Sequence, residues 1–355
     1  MMENTNNQQP IDKDYYKRQI GLIEITQGAY KARCLHLVTK LNVASLLADE
    51  KPHSVDELAK QLGGVDATTL HKIMRGLSTI GVFKHHDQEE GVSSRIFSQS
   101  DLSRMLNDKF TRDAILFKGG DGVYNGLNDI GETLKTGKAS VALHSAGKGY
   151  SNFWEYIWDN PTELGLFERG MTGLTSPLLP YFLDMSDFSK FKVVVDLGGS
   201  QGVMIQEILK QNKHLEKGIN FDVQETIDNN KKLDRSKVDP RFSEVVGSFF
   251  ESVPVADCYT MSKIIHDWDA KEAKGILETI GKSIKPNGKV FIYDLILEKD
   301  RDYYSYRTWK DVDLWHSVNG RQRCEKEYTD LAASAGFKID AFVKDYMVIM
   351  SKIVN

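Results

Sequence analysis

The sequence predicts an α/β protein: a mostly parallel sheet with helices on both faces, closed by an antiparallel final hairpin and preceded by an α-helical segment of winged-helix pattern. Three observations carry this. From residue 191 onward, short apolar runs alternate with helical stretches, FKVVVDL, KGINFDV, EVVGSF, VADCYTMSKII and GKVFIYDLIL, the signature of parallel strands joined by helices. The last two runs, FKIDAFV and YMVIMSKIV, are so close in sequence that they pair as an antiparallel hairpin. The first run enters a glycine turn, DLGGSQG, and then MIQEILKQ, whose Met204, Ile205, Ile208 and Leu209 share one helical face.

Taken in order, the chain of 355 residues exceeds a usual single domain, and three regions are expected: 1–106, 107–185 and 186–355. Lys and Arg total 46 against 50 Asp and Glu, a net charge of −4 that gives no general attraction to nucleic acid or anionic lipid. Cys34, Cys258 and Cys324 are far apart and lack metal-ligand spacing, so neither a disulfide framework nor a metal site is expected. MMENTNNQQPIDKD is not a basic stretch leading into an apolar one, and no run reaches transmembrane length. A soluble, reduced, cytoplasmic protein without membrane partners is the expectation.

From Tyr15 to Leu47 apolar residues recur at helical spacing, predicting two helices of an apolar surface. In SVDELAKQLGG, Ser54 and Glu57 form a capping-box pattern and Gly63 and Gly64 end the helix. A second helix, DATTLHKIMRGLSTIG, and a hairpin around Gly91 complete the winged-helix pattern. That pattern admits a DNA-binding regulator. The charges disfavour it: the second helix offers only Lys72 and Arg75, while the wing carries Asp87, Glu89 and Glu90, which a phosphate backbone would repel.

Between residues 107 and 185 the chain reads as glycine-interrupted helices, with aromatics and sulfur concentrated in SNFWEYIWDNPTELGLFERGMTGLTS; packing between domains explains most of them. The turn after the first strand lacks the spacing of a dinucleotide fingerprint, since Ser200 and Val203 stand where glycines would be needed, and no P-loop motif occurs. Asp222, closing the next strand, lies at the distance from the turn at which an acid reaches ribose hydroxyls. A nucleoside without a pyrophosphate fits best. Ligands of such sheets bind beyond the carboxyl ends of the strands, where Asp196, Asp222, Ser248, His266 and Asp294 all fall.

DLGGSQG, NFDV, GSFFESVP and above all IIHDWD resemble the class I S-adenosylmethionine-dependent small-molecule O-methyltransferases, the group of plant caffeate-type and bacterial phenazine- and polyketide-tailoring enzymes, and the resemblance extends over almost the whole chain. It implies a Rossmann-like methyltransferase domain at 186–355, an N-terminal domain that dimerises and closes the partner's substrate pocket, and methyl transfer to the hydroxyl of a small aromatic or heteroaromatic acceptor. The implied donor site is Asp196, Gly198, Gly199, Gly202, Asp222, Val223, Ser248, Phe249 and Ser262, with Phe167 and Met171 flanking the methyl group and Thr175 near the amino-acid end.

His266 is the expected general base, since imidazole titrates near neutrality and can take a phenolic proton; Asp269 and Glu272 are explained as a helix cap. Asp294 and Gln322 stand where relatives carry Glu. Asp is one methylene shorter, and Gln322 is able to hydrogen-bond an imidazole but cannot stabilise imidazolium with a charge. Ser248 and Ser200 replace an acid and a glycine. Trp154, Trp309, Asp313 and His316 are the expected acceptor-binding residues, aromatic surface with a few polar groups. A non-methylating reaction that keeps S-adenosylmethionine as an electrostatic cofactor is the alternative.

Overall fold

The computed structural model describes residues 13–86, 95–139, 150–297 and 305–353. The chain divides into two compact units at Asp108/Lys109. The first begins with helices Lys13–Thr26 and Gly28–Lys40 and a 3₁₀ turn, Val43–Leu47. No residue of the first helix is buried, and Leu22, Ile25 and Tyr30 are each about 70% exposed. The winged-helix part follows: strands β1 (His53–Ser54), β2 (Phe83–His86) and β3 (Ile96–Gln99) form a sheet in the order β1-β3-β2 beside helices Val55–Leu62 and Ala67–Ser78.

Local chemistry sets these boundaries. Ser54 and Glu57 exchange hydrogen bonds in a complete capping box, and Gly63, at φ 65°, ends that helix. Asp66 caps the next helix through the Thr69 N–H. Leu58, Leu70, Met74, Leu77, Phe83 and Phe97 form the buried interior. Strands β2 and β3 pair antiparallel from Phe83/Gln99 to His86/Ile96; the wing tip, with Asp87, Glu89, Glu90 and Gly91, lies outside the described residues.

The second unit holds helices from Lys109 to Asp184 and a seven-stranded sheet: β4 (Val193–Leu197), β5 (Lys217–Asp222), β6 (Phe242–Val246), β7 (Ala256–Ser262), β8 (Ile284–Tyr293), β11 (Phe337–Val343) and β12 (Met347–Lys352). Its order is β11-β12-β8-β7-β4-β5-β6. Strands β4 to β8 are mutually parallel, and β12 runs antiparallel to both β8 and β11. Val194 and Val195, adjacent on β4, are both fully buried in different cores, one per face, which is why these strands read as continuous apolar runs. A short ribbon, β9 (Ile296–Leu297) with β10 (Arg323–Cys324), pairs parallel beside the sheet.

Several strand limits differ from the sequence reading, and one matters for the site. The run GKVFIYDLIL splits, its strand β8 starting earlier, at Ile284, and ending at Tyr293. Strand β6 begins at Phe242 and stops at Val246, before Gly247. Strand β7 stops at Ser262 because Lys263 takes a left-handed φ of 58°; Ile265–Asp267 then makes a 3₁₀ turn. His266 is therefore carried on a 3₁₀ turn beyond the end of β7.

Candidate active site

Parallel strands put their carboxyl ends on one edge, and a cavity of about 580 Å³ is built there from the loops after β4, β5, β6, β7 and β8 and from helices Pro161–Thr175 and Ser305–Val318. All the site residues expected from sequence line it except Gly202 and His316.

One half is made by the glycine turn. Gly198 has φ 66°, and a Cβ there would collide with the Ile264 side chain. At Gly199 a Cβ would collide with the Asn220 and Asp196 side chains. Ser200, at φ 50°, occupies a left-handed position that favours glycine, so its replacement of a glycine is accommodated with strain. Gly202, at φ 73°, opens helix Val203–Gln211, and a Cβ would meet the Phe242 ring at 3.0 Å; it shapes the turn and does not line the cavity.

Asp222 accepts hydrogen bonds from the Ser200 N–H at 2.9 Å and the Val223 N–H at 2.8 Å. Those fix the carboxylate and leave lone pairs for a ligand. Burial pushes its pKa up to about 6 against these bonds. Asp196, 2% exposed, accepts from the Thr260 hydroxyl at 2.6 Å, and burial followed by the charge of Asp222 raises it to about 7. Glu168, which no motif signalled, is bonded to Asn229 and raised to about 7 by burial; its Oε1 has no hydrogen-bond partner among the described residues.

Phe167, Met171 and Thr175 recur every four residues and so share a face of helix Pro161–Thr175. Close packing on helix Lys109–Lys118, through Gly170 against Ala114 and Gly173 against Phe110, positions that face. The Lys263 ammonium donates to Thr175 Oγ1 at 2.8 Å, and burial lowers its pKa to about 8. The Ser200 and Ser262 hydroxyls are buried without hydrogen-bond partners among the described residues. Together with Val223, Ser248 and Phe249, these groups suit a cationic nucleoside carrying an amino acid: acids for hydroxyls and ammonium, hydroxyls to donate and accept, Lys263 for a carboxylate, and a cradle that a Cβ would fill.

The other half is aromatic. Trp154 and Trp268 stack at 5.7 Å with planes 23° apart, and the Phe249 and Phe250 edges abut Trp268. Trp309, 68% exposed, lies at the rim. Asp313 accepts from Lys118 at 2.7 Å and Lys310 at 2.9 Å. Burial opposes its charge, but the two ammonium groups more than offset this and hold it below the ordinary range. His316 is a correction to the sequence reading: its ring faces the Thr133 hydroxyl at 3.2 Å, whereas Asp313, Leu314 and Ser317 of the same helix line the cavity.

His266, 5% exposed, stands in the cavity wall. Its Nδ1 is 3.0 Å from Asp294 Oδ1, outside hydrogen-bond alignment, and its Nε2 is 3.4 Å from Asp267 Oδ1. Burial raises the Asp267 carboxyl to about 6, opposed by His266. The Tyr328 hydroxyl donates to Asp294 Oδ2 at 3.1 Å. Buried Arg323 donates to the Ile265 carbonyl at 2.8 Å and the Trp268 carbonyl at 2.7 Å, gripping the turn on both sides of His266, while the Arg321 N–H donates to the His266 carbonyl at 2.8 Å.

Gln322 lines the cavity as the sequence led us to expect, but neither side-chain atom has a hydrogen-bond partner among the described residues, so it makes no bond to the imidazole. Asp267 is the group that stands beside Nε2.

A glycine turn with buried acids, an aromatic wall and a buried histidine line one cavity at the carboxyl edge of the sheet, as in a class I methyltransferase. The model of an O-methyltransferase domain matches residues 127–338, and that of an O-methyltransferase dimerisation domain matches residues 23–109. The chain belongs to the O-methyltransferase family, whose methyl donor is S-adenosylmethionine. It is 28% identical over 348 residues to O-methyltransferase 9 of Dictyostelium discoideum, covering 96% of this chain and 94% of that one. It is 27% identical over 325 residues to phenazine O-methyltransferase PhzM of Lysobacter antibioticus, covering 90% and 91%. The structure of mitomycin 7-O-methyltransferase MmcR superposes with a TM-score of 0.85 at 24% identity, over 96% of this chain and 99% of that one.

Proposed function

We propose that this protein transfers a methyl group from S-adenosylmethionine to a hydroxyl of a small planar aromatic acceptor, with His266 as general base. The observation that carries the reading is the position of His266, in the wall of one cavity with buried carboxylates in one half and a tryptophan stack in the other.

Asp222, Asp196, Glu168 and Lys263 would hold the donor, with Phe167, Met171 and Thr175 along its flank. When bound, S-adenosylmethionine supplies an electrophilic methyl group. Trp154 and Trp268 hold the acceptor ring, and the walls bring its oxygen to face the donor, so that most of the acceleration comes from alignment. His266 receives the hydroxyl proton on the ring nitrogen facing the cavity. Asp294, paired with Tyr328, faces the other nitrogen and stabilises the imidazolium. The exposed apolar side chains of the first helix support a homodimer formed through the N-terminal unit.

The test is His266→Ala. Turnover, read as S-adenosylhomocysteine formed with a hydroxylated aromatic, should fall by about 10²–10⁴ while donor affinity is retained. Turnover within a few-fold of the natural protein would remove His266 as the base.

A further inference from the structure

We propose that Gln322 selects the acceptor: its side-chain amide receives a carbonyl oxygen placed ortho or peri to the reacting hydroxyl, so that the preferred substrate class is an aromatic hydroxy-carbonyl compound. This rests on the methyl-transfer reading of the same cavity.

The amide is 2% exposed, it lines the cavity, and neither its oxygen nor its nitrogen has a hydrogen-bond partner among the described residues. Buried amides are normally paired, because desolvation without replacement bonds is costly, and a bound ligand recovers that cost. The backbone around Gln322 is fixed on both sides. Its own N–H donates to Asp311 Oδ1 at 2.6 Å, the Arg321 N–H donates to the His266 carbonyl, and Arg323 grips the carbonyls of Ile265 and Trp268. A ligand group bonded to this amide is therefore held in register with His266.

The residue type sets the chemistry. A carboxylate here would accept only and would repel a carbonyl oxygen; an amide donates, and since both ends are unpaired a half-turn of its terminal torsion can present the NH₂. The stacked Trp154 and Trp268 offer a flat aromatic wall that suits a planar partner, and the Trp154 Nε1–H, also buried without a partner among the described residues, supplies a second donor on that wall. An ortho or peri hydroxy-carbonyl ordinarily closes an internal hydrogen bond that retains the phenolic proton. An N–H aimed at the carbonyl competes for that oxygen and leaves the proton to His266.

The experiment compares two probes, 2-acetyl-1-naphthol and 1-naphthol, binding to the full-length protein saturated with S-adenosylhomocysteine, followed by tryptophan fluorescence. The natural protein should bind the hydroxy-ketone on the order of tenfold more tightly. Gln322→Leu should lose that preference, Gln322→Glu should invert it, and calorimetry should show S-adenosylhomocysteine affinity unchanged in both, which verifies folding. Equal affinity for the probes in the natural protein, no binding of either, or a preference that survives in Gln322→Leu would overturn the proposal. The readout needs no turnover: absent S-adenosylhomocysteine binding sinks the reading of the cavity, whereas unbiased probe binding sinks only the role of Gln322.

Discussion

Replacing Asp196 by Asn should stabilise the ligand-free protein, and by an amount that depends on pH. The carboxyl is 2% exposed, has no ion-pair partner among the described residues, and lies close enough to Asp222 to feel its charge. Its folded pKa, about 7, stands above the ordinary 3.8. The folded state thus holds this proton more tightly than the unfolded chain does. Sign follows from linkage: nothing is lost below about pH 4, stability falls as pH rises toward 7, and the loss is constant above. A rise of about three pH units at ~1.4 kcal/mol each makes the full cost roughly 4 kcal/mol, against a total stability on the order of 5–15 kcal/mol. Asn keeps an oxygen for the Thr260 hydroxyl and cannot ionise. Urea denaturation of both proteins without ligand, from pH 4.5 to 8.5, should show midpoints that coincide at the acid end and separate in favour of Asn at the alkaline end. A difference independent of pH, or an Asn variant less stable at pH 8, would show that the Asp196 carboxylate carries no such cost. Retention of so costly a carboxylate fits a group kept for its ligand.

Asp222→Ala should weaken S-adenosylmethionine and S-adenosylhomocysteine alike by on the order of a hundredfold in calorimetry, since it removes a charged acceptor fixed by two backbone N–H groups. Arg323→Met should destabilise the protein by about 3 kcal/mol, the value of two charge-assisted hydrogen bonds to carbonyls, and denaturant titration reads this directly. It should also lower kcat more than donor affinity, because the turn that carries His266 loses its grip. Ile25→Asp, at a side chain 72% exposed on the first helix, should shift the protein from dimer to monomer in sedimentation velocity, and an unchanged sedimentation coefficient would place the interface elsewhere.

Much of this was legible in the sequence because local rules dictate it. Apolar runs marked the strands, Ser54/Glu57 and Asp269/Glu272 marked helix starts and form complete capping boxes, and residues at strand ends gather where a parallel sheet puts them. What the sequence hid is tertiary. Lys263 and Asp267 gain their environment from a left-handed turn that no propensity announces, and Trp268, inside the IIHDWD segment itself, becomes a wall only by stacking on Trp154 from a distant helix. Arg323 reads as a surface residue until its two carbonyl partners are seen. His316 lies off the cavity for a related reason. Helical spacing near Asp313 does not say which neighbour meets Thr133, and a segment-level resemblance gives a neighbourhood without a partner.

Methyl transfer itself is tested by incubating the protein with S-adenosylmethionine and hydroxylated aromatics, 2-acetyl-1-naphthol among them, and measuring S-adenosylhomocysteine and O-methylated product together. The two should accumulate one for one, and both should vanish with His266→Ala. Conversion of an acceptor without S-adenosylhomocysteine would contradict methyl transfer and leave the donor as an electrostatic cofactor of a different reaction.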